Sequence, residues 1–417
     1  MNTIKSTPLR RGIVGVQFLF VAFGATVLVP LLVGLDPATA LFTAGLGTFI
    51  FHFVTGGKVP IFLGSSFAFI APIIEASRLW GMPGTLAGMA GVALVYFLMS
   101  LLIMFQGRRV LDKLFPPVVI GPVIILIGLT LSGSAVNMAK TNWMLAFISL
   151  ATAIAVLILG RGLLKLVPVV CGIAAGFVAA LLFGHYHLFG VEPVDFSKVA
   201  AASWFSLPSS IAHLSAPQFR WEPFLYMIPV AIAPVIEHIG DVYVVGAVAG
   251  KDFVKDPGLH RTMLGDGLAC LFAAFLGGPP VTTYSEVTGA MSITKVTSPQ
   301  VIRIAAATAI VFSVVGKLSA LLQAIPQAVL GGIMLLLFGT ISNVGIQNLI
   351  QHKVNVGLTR NTIIMAVTLT LGIGGAVLTA GSFTLGGIGL SAVVGVLLNL
   401  ILPHDKEEEA VSEENQK

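Results

Sequence analysis

Four carboxylates, Glu237, Asp241, Asp266 and Glu286, lie in or at the edge of strongly apolar stretches of this chain. An ionisable group in such a stretch is costly to keep and ordinarily binds or moves something. Glu237 and Asp241 stand four residues apart in IPVAIAPVIEHIGD (Ile228–Asp241), so on a helix they share a face one turn apart. Two acids that close in a low dielectric cannot both ionise cheaply, and at least one is expected to hold a proton near neutral pH, an arrangement suited to proton coupling. A carboxylate also accepts an N–H bond strongly and, once protonated, donates to a carbonyl, which suits the imide edge of a heterocycle. Phe67, Phe69 and Tyr284 offer flat faces for a planar solute if their segments cross. His238 follows Glu237, but E-H-x-x-D lacks the paired histidines of a zinc hydrolase helix, and no nucleophile stands beside a base. No metal, cofactor or enzyme activity is expected. Asp266, close to the loop after Arg261, and His52, alone in an apolar run, read as structural.

Glu286 sits in GGPPVTTYSEVTGAMSITK (Gly277–Lys295). The Gly-Gly-Pro-Pro start stops a helix arriving from Leu268–Leu276, and Val281 to Tyr284 favour extended backbone. Irregular backbone survives at bilayer depth only where it is buried in protein or lines a wet cavity, so this broken segment is a candidate binding site.

The rest of the chain must hold that segment in a membrane. Of 417 residues 56% are hydrophobic and 10% charged, with mean hydropathy +0.98, a composition that excludes a soluble globular protein. Apolar runs recur from Gly12–Val33 to Asn361–Ala380, and about fourteen spans are expected, the first a retained helix rather than a signal peptide. If spans alternate from a cytoplasmic N-terminus, most Lys and Arg fall inside and only Arg78, Lys140, Lys198, Arg220 and Lys317 outside, which places both termini in the cytoplasm. The scattered basic residues form no nucleic-acid patch. Cys171 and Cys270 are expected to be buried, inert thiols. The hydrophilic stretch His185–Glu222 reads as an external connector, and 404–417 as a disordered charged tail.

The two halves repeat. GKVPIFLGSSFAFIAP (Gly57–Pro72) is a second Pro-led, Gly/Ser-interrupted segment, and aligning Pro60 with Pro280 sets Ser66 opposite Glu286 and Gln17 opposite Glu237 at an offset of 220. FPPVVIGPVIILIGL (Phe115–Leu129) matches IPQAVLGGIMLLLFG (Ile325–Gly339) at an offset near 210. Two halves of seven spans are inverted relative to each other, and paired broken segments in inverted halves are a transporter signature.

QFLFVAFGATVLVP, KVPIFLGSSFAFIAP, IEHIGDVYVV with KDFVKDPGLHRTMLGDGL, and TTYSEVTGAMSITK resemble the nucleobase/ascorbate transporter family, most closely its bacterial uracil permeases, over about Gln17–Leu402. The resemblance implies an all-α polytopic fold of fourteen spans in two inverted repeats, with short extended stretches in broken spans 3 and 10. It implies a core domain at 12–106 and 223–318, a gate domain at 107–222 and 319–403, and a homodimer in a bacterial inner membrane. By the same resemblance Glu237 hydrogen-bonds the base, Glu286 shares its pocket, and Ala25, Phe67 and Ser285 flank it; Tyr284 joins this substrate-binding set as an aromatic face of the second broken segment. Glu237, Asp241 and Glu286 are then the proton-coupling groups, with Gln17 and Ser66 in support. Proton-coupled import of uracil leads, a xanthine or uric acid symporter is the alternative, and an anion transporter of the same architecture ranks below both. The chain departs from the uracil pattern at Asp241, where those permeases usually carry His, at Val287 in place of Asn, and at Phe18 in place of His.

Overall fold

The computed structural model describes residues 8–107, 113–162, 164–212, 218–380 and 383–403, so the expected disordered tail at 404–417 lies outside the described residues. The chain is helical almost throughout, because a backbone surrounded by lipid must satisfy its N–H and C=O groups within each segment. The first half contains α1 (Pro8–Val33), α2 (Pro37–Val54), the strand β1 (Leu63–Ser65), α3 (Ile70–Gln106), α4 (Pro117–Ala139), α5 (Trp143–Leu159) and α6 (Pro168–His185). The second contains α7 (Trp221–Met227), α8 (Ile232–Ala249), α9 (Leu259–Phe275), β2 (Val281–Thr283), α10 (Ser285–Thr294), α11 (Pro299–Ser313), α12 (Gly316–Gln323), α13 (Gln327–Gln351) and α14 (Thr359–Ile373). It closes with a hairpin of β3 (Val377–Ala380) and β4 (Phe383–Gly386) and with α15 (Gly387–Ile401).

Seven helical stretches of the described residues are long and apolar enough to cross a membrane unaided. The other crossings are shorter helices or strand-plus-helix segments, and α3 folds two crossings into one run by a kink at Gly81, whose φ of 71° only glycine adopts freely. Counted this way, the fold is the fourteen-span inverted repeat that the sequence implied.

The symmetry is written into the packing. α4 and α13 lie antiparallel, in contact through small residues that let the backbones approach. A Cβ on Gly121 would strike Leu349, and one on Gly331 would strike the backbone of Ala139. Those two contacts are images of each other under a shift of 210 residues, the offset read from the sequence. α5 and α6 pack beside this pair, while α1 and α2 lie against β1, and α2, α8 and α9 against β2.

β1 and β2 pair antiparallel, Leu63 with Thr283, Gly64 with Thr282 and Ser65 with Val281. Flanking bonds extend the ladder: Ser66 N–H donates to Pro280 O (3.0 Å) and Tyr284 N–H to Phe62 O (3.1 Å). Under a shift of 218 residues these two bonds exchange, so 218, not 220, is the offset of the broken segments. The discrepancy arises because Ile61 and Phe62 separate Pro60 from β1, whereas Val281 follows Pro280 directly. Ser66 is therefore the counterpart of Tyr284, and Glu286 stands opposite Ala68. Side chains complete the pairing: Leu63 N–H donates to Thr48 Oγ1 (2.9 Å), the Ser65 hydroxyl to Thr26 O (3.1 Å) and the Cys270 thiol to Val281 O (3.0 Å).

On the connector side, Asp36 caps α2 by accepting from Ala38 N–H (3.0 Å), from Ser209 N–H and Oγ (both 2.9 Å), and from the Ser319 hydroxyl of α12 (3.1 Å).

Gly64 is where the crossing leaves no room for a side chain, because a Cβ there would collide with the Tyr284 ring and the Thr26 hydroxyl. Gly64→Ala is expected to cost about 1–3 kcal/mol by overpacking and to lower the melting midpoint in detergent. Gly133→Ala, where nothing lies within 4 Å, should not lower it; equal midpoints for both variants would contradict the packing described here.

Candidate functional site

Because β1 and β2 end at the crossing, the helices that follow begin there. Phe67 opens a short 3-10 turn leading into α3, and Ser285 is the first residue of α10; the two are counterparts under the 218 shift. Their half-helices start beside an open cavity of about 140 Å³. Glu237 on α8, Glu286 and Ser285 on α10, Tyr284, and Phe67 line it. Glu237, Ser285 and Glu286 are exposed, whereas Pro234, His238, Val287 and Thr288 beside them are buried, so the acids face the cavity rather than the packed interior. Tyr284 turns its hydroxyl onto Ser65 O (2.8 Å), which ties the ring to the opposite strand. Phe67 stands edge-on to Phe338 of α13, with centroids 6.4 Å apart and planes at 86°.

The sequence-derived set is only partly assembled there. Ala25 is buried in α1 and does not line the cavity. Gln17 lines a separate apolar groove between α1 and residues 164–170 rather than the cavity. Ser66 is buried behind the strand crossing, its hydroxyl without a hydrogen-bond partner. Asp241 shares α8 with Glu237 but leaves the cavity lining and accepts a hydrogen bond from the Thr283 hydroxyl. One helical turn puts the two acids on adjoining faces with different surroundings, a distinction that spacing alone does not draw. Phe69 is fully buried, and His52 meets the Ile61 carbonyl (3.1 Å) as packing.

Residues not anticipated also line the cavity. Thr282 and Thr283 present the edge of β2, and Ala68 sits opposite Glu286 in the repeat. Ile124 and Ile127 of α4 and Thr340, Ile341 and Val344 of α13 form the facing wall. Only the alternation of a strand marks Thr283, and no local signal marks the α13 residues.

The cavity opens toward one end of the molecule. Gly240 and Gly289, each three residues beyond an acid, are exposed with nothing within 4 Å of a built Cβ. Exposure continues through Val244, Ile293 and Val344 toward the ends of α8 and α10, where Lys251 and Lys295 lie. On the connector side Pro229 and Val230 are buried, and a Cβ on Gly389 of α15 would sit 3.5 Å from each.

Glu286 lies in the first turn of α10. A helix N-terminus carries partial positive charge and favours an anion. Here the protein's own carboxylate meets that field, so the site favours a neutral solute with N–H donors over a free anion.

The profile described as "Permease family" matches residues 11–381. The chain is 47% identical over 413 residues to the probable uracil permease of Haemophilus influenzae, covering 97% of each. The chain belongs to the nucleobase/ascorbate transporter family. It is also 48% identical over 413 residues to the uracil permease of Bacillus caldolyticus (96% of this chain, 94% of that one) and 39% identical over 396 residues to that of Escherichia coli (92% and 89%). Membership makes this a multi-pass membrane permease rather than an enzyme. The fold is shared with SLC26A9, at TM-score 0.70 and 13% identity over 94% of this chain and 65% of that longer one. It is shared also with the transmembrane domain of the cyanobacterial bicarbonate transporter BicA, at TM-score 0.62 and 14% identity over 94% and 96%.

Thr283 joins the cavity edge to Asp241, and removing its hydroxyl strands a buried carboxylate oxygen. Thr283→Val is expected to destabilise the solute-free protein by about 1–3 kcal/mol, read as a lowered melting midpoint, with Thr283→Ser close to the unaltered protein. A Val variant as stable as Ser would remove Asp241 from this supporting role.

Proposed function

We propose that this permease imports a nucleobase, uracil first, together with a proton, by alternating access. The observation that carries the reading is the one-sided cavity, at the crossing of two broken segments, into which Glu237 and Glu286 both project. Glu237 anchors the N–H and carbonyl edge of the base and Glu286 supplies a second contact. Phe67 and Tyr284 bound the ring, and the Ser285 backbone lies alongside. The proton-coupling role expected of Asp241 falls to its contact with Thr283 rather than to the base itself.

The core assignment, 12–106 and 223–318, covers the helices that surround the strands. The gate assignment, 107–222 and 319–403, covers the facing wall of α4 and α13. Rocking one against the other would close the end near Lys251 and Lys295 and open the connector side. With both termini in the cytoplasm of a bacterial inner membrane, the cavity faces inward in this conformation. The family resemblance adds a homodimer.

The departures from the uracil pattern bear little on the ranking. Asp241 lies behind Thr283, and Val287 and Phe18 are fully buried; none of the three lines the cavity. Two neighbours in fold are titled as anion or bicarbonate transporters. The carboxylate at the start of α10 argues against that cargo.

Glu237→Gln should abolish gradient-driven uptake of labelled uracil in cells lacking their own permeases; unchanged transport would end the assignment. Glu286→Gln should weaken apparent affinity by about tenfold, about 1.4 kcal/mol. In the same cells unlabelled 5-fluorouracil should compete and xanthine should not. Competition by purines alone would reverse the substrate ranking.

A further inference from the structure

Behind the cavity wall lies a buried pair that substrate binding does not use. His238, on the face of α8 turned away from the cavity, meets Asp266 of α9. Both side chains are 0% exposed, with Nδ1 2.7 Å from Oδ2. Nε2 of the same ring lies 2.9 Å from the Thr262 hydroxyl, which is also 2.9 Å from the Leu259 carbonyl.

A hydroxyl has one proton and two lone pairs, so Thr262 satisfies this ring in either of two ways. With its proton on the Leu259 carbonyl it accepts from Nε2–H, and a second proton is shared between Nδ1 and Oδ2. With its proton turned to Nε2 it donates to a neutral ring whose Nδ1–H faces an ionised Asp266. The two arrangements differ by the Nε2 proton, and the ring keeps two hydrogen bonds in both. Such a pair gains or loses a proton without leaving a buried ring nitrogen unsatisfied.

Polar groups lead from the cavity to this pair. Thr282 lines the cavity, its hydroxyl stands beside that of Tyr96, and Oδ1 of Asp266 has no hydrogen-bond partner. The Tyr96 ring stands edge-on to His238, with centroids 6.4 Å apart and planes at 84°, and its hydroxyl neighbours Thr282 and feels the charge of Asp266. Tyr96 comes from α3 and Cys270 from α9, while Glu237 and Asp241 on α8 also sense Asp266. From α2 the ring of Phe51 packs against His238. Because Glu237 and Asp266 interact electrostatically, a proton on the pair and the ionisation of Glu237 are linked.

We propose that His238, Asp266 and Thr262 form a second proton-holding site that loads alongside Glu237 and sets the pH range of transport. This rests on the proton-coupled reading above. His238, Asp266 and Thr262 are positioning residues here, since none of them lines the cavity.

The test is uptake of labelled uracil into proteoliposomes across a pH series, with and without an imposed proton gradient, at matched protein content. Thr262→Val keeps the side-chain size but can neither accept from Nε2–H nor donate to Nε2. The loaded form loses the stronger bond, so the pH midpoint of uptake should move about one unit lower. Thr262→Ser should restore it, and Asp266→Asn should lose the same titration step. A Thr262→Val protein that keeps the unaltered midpoint and changes only in rate overturns the proposal, even if Asp266→Asn fails to fold. Gradient-driven uptake by the unaltered protein with an unmoved Thr262→Val midpoint refutes the pair alone. Uptake by the unaltered protein that ignores both pH and gradient refutes the proton-coupled reading itself.

Discussion

The antiparallel crossing of β1 and β2 is the constraint on which the rest of the structure depends. Three-residue strands are too short to be stable alone, and at bilayer depth no water replaces a missing partner. Each strand therefore needs the other, and Thr48, Thr26 and Cys270 must supply the bonds that the ladder leaves open. The pairing brings the two halves of the chain together and ends both extended stretches at one depth. The helices that resume, one toward α3 and one as α10, then begin beside a common cavity.

That geometry decides the electrostatics. A helix start pointed into a cavity would ordinarily draw an anion, and the shared fold evidently accommodates anion and bicarbonate transporters. Here Glu286 occupies the first turn and Glu237 enters from α8, so the same scaffold offers strong acceptors instead of a positive field. The small residues at the α4–α13 contact work at another level. They let two long helices pack closely enough to form a continuous wall facing the acids.

The sequence made the broken segments, their carboxylate and the repeat legible, because glycine and proline at membrane depth leave few alternatives to irregular backbone. The offset of 210 held because Gly121 and Gly331 do the same packing work in both halves. The offset of 220 slipped by two because it was anchored on prolines, whereas register is set by backbone bonds that side-chain types do not display. Spacing put Glu237 and Asp241 on one face but could not say that one meets the cavity and the other Thr283. The His238–Asp266 contact joins residues 28 apart on different helices, and Thr340 and Val344 come from a wall with no distinguishing pattern. Such contacts belong to tertiary packing and leave no local trace.

The central claim is that Glu237 and Glu286 hold a neutral base at the strand crossing. A structure of the protein determined with uracil bound tests it most directly. The account predicts the ring in the cavity beside Phe67, with hydrogen bonds from its N–H groups to the Glu237 and Glu286 carboxyls. Uracil seated elsewhere, for instance in the groove between α1 and residues 164–170, with both acids free of contact, would contradict it.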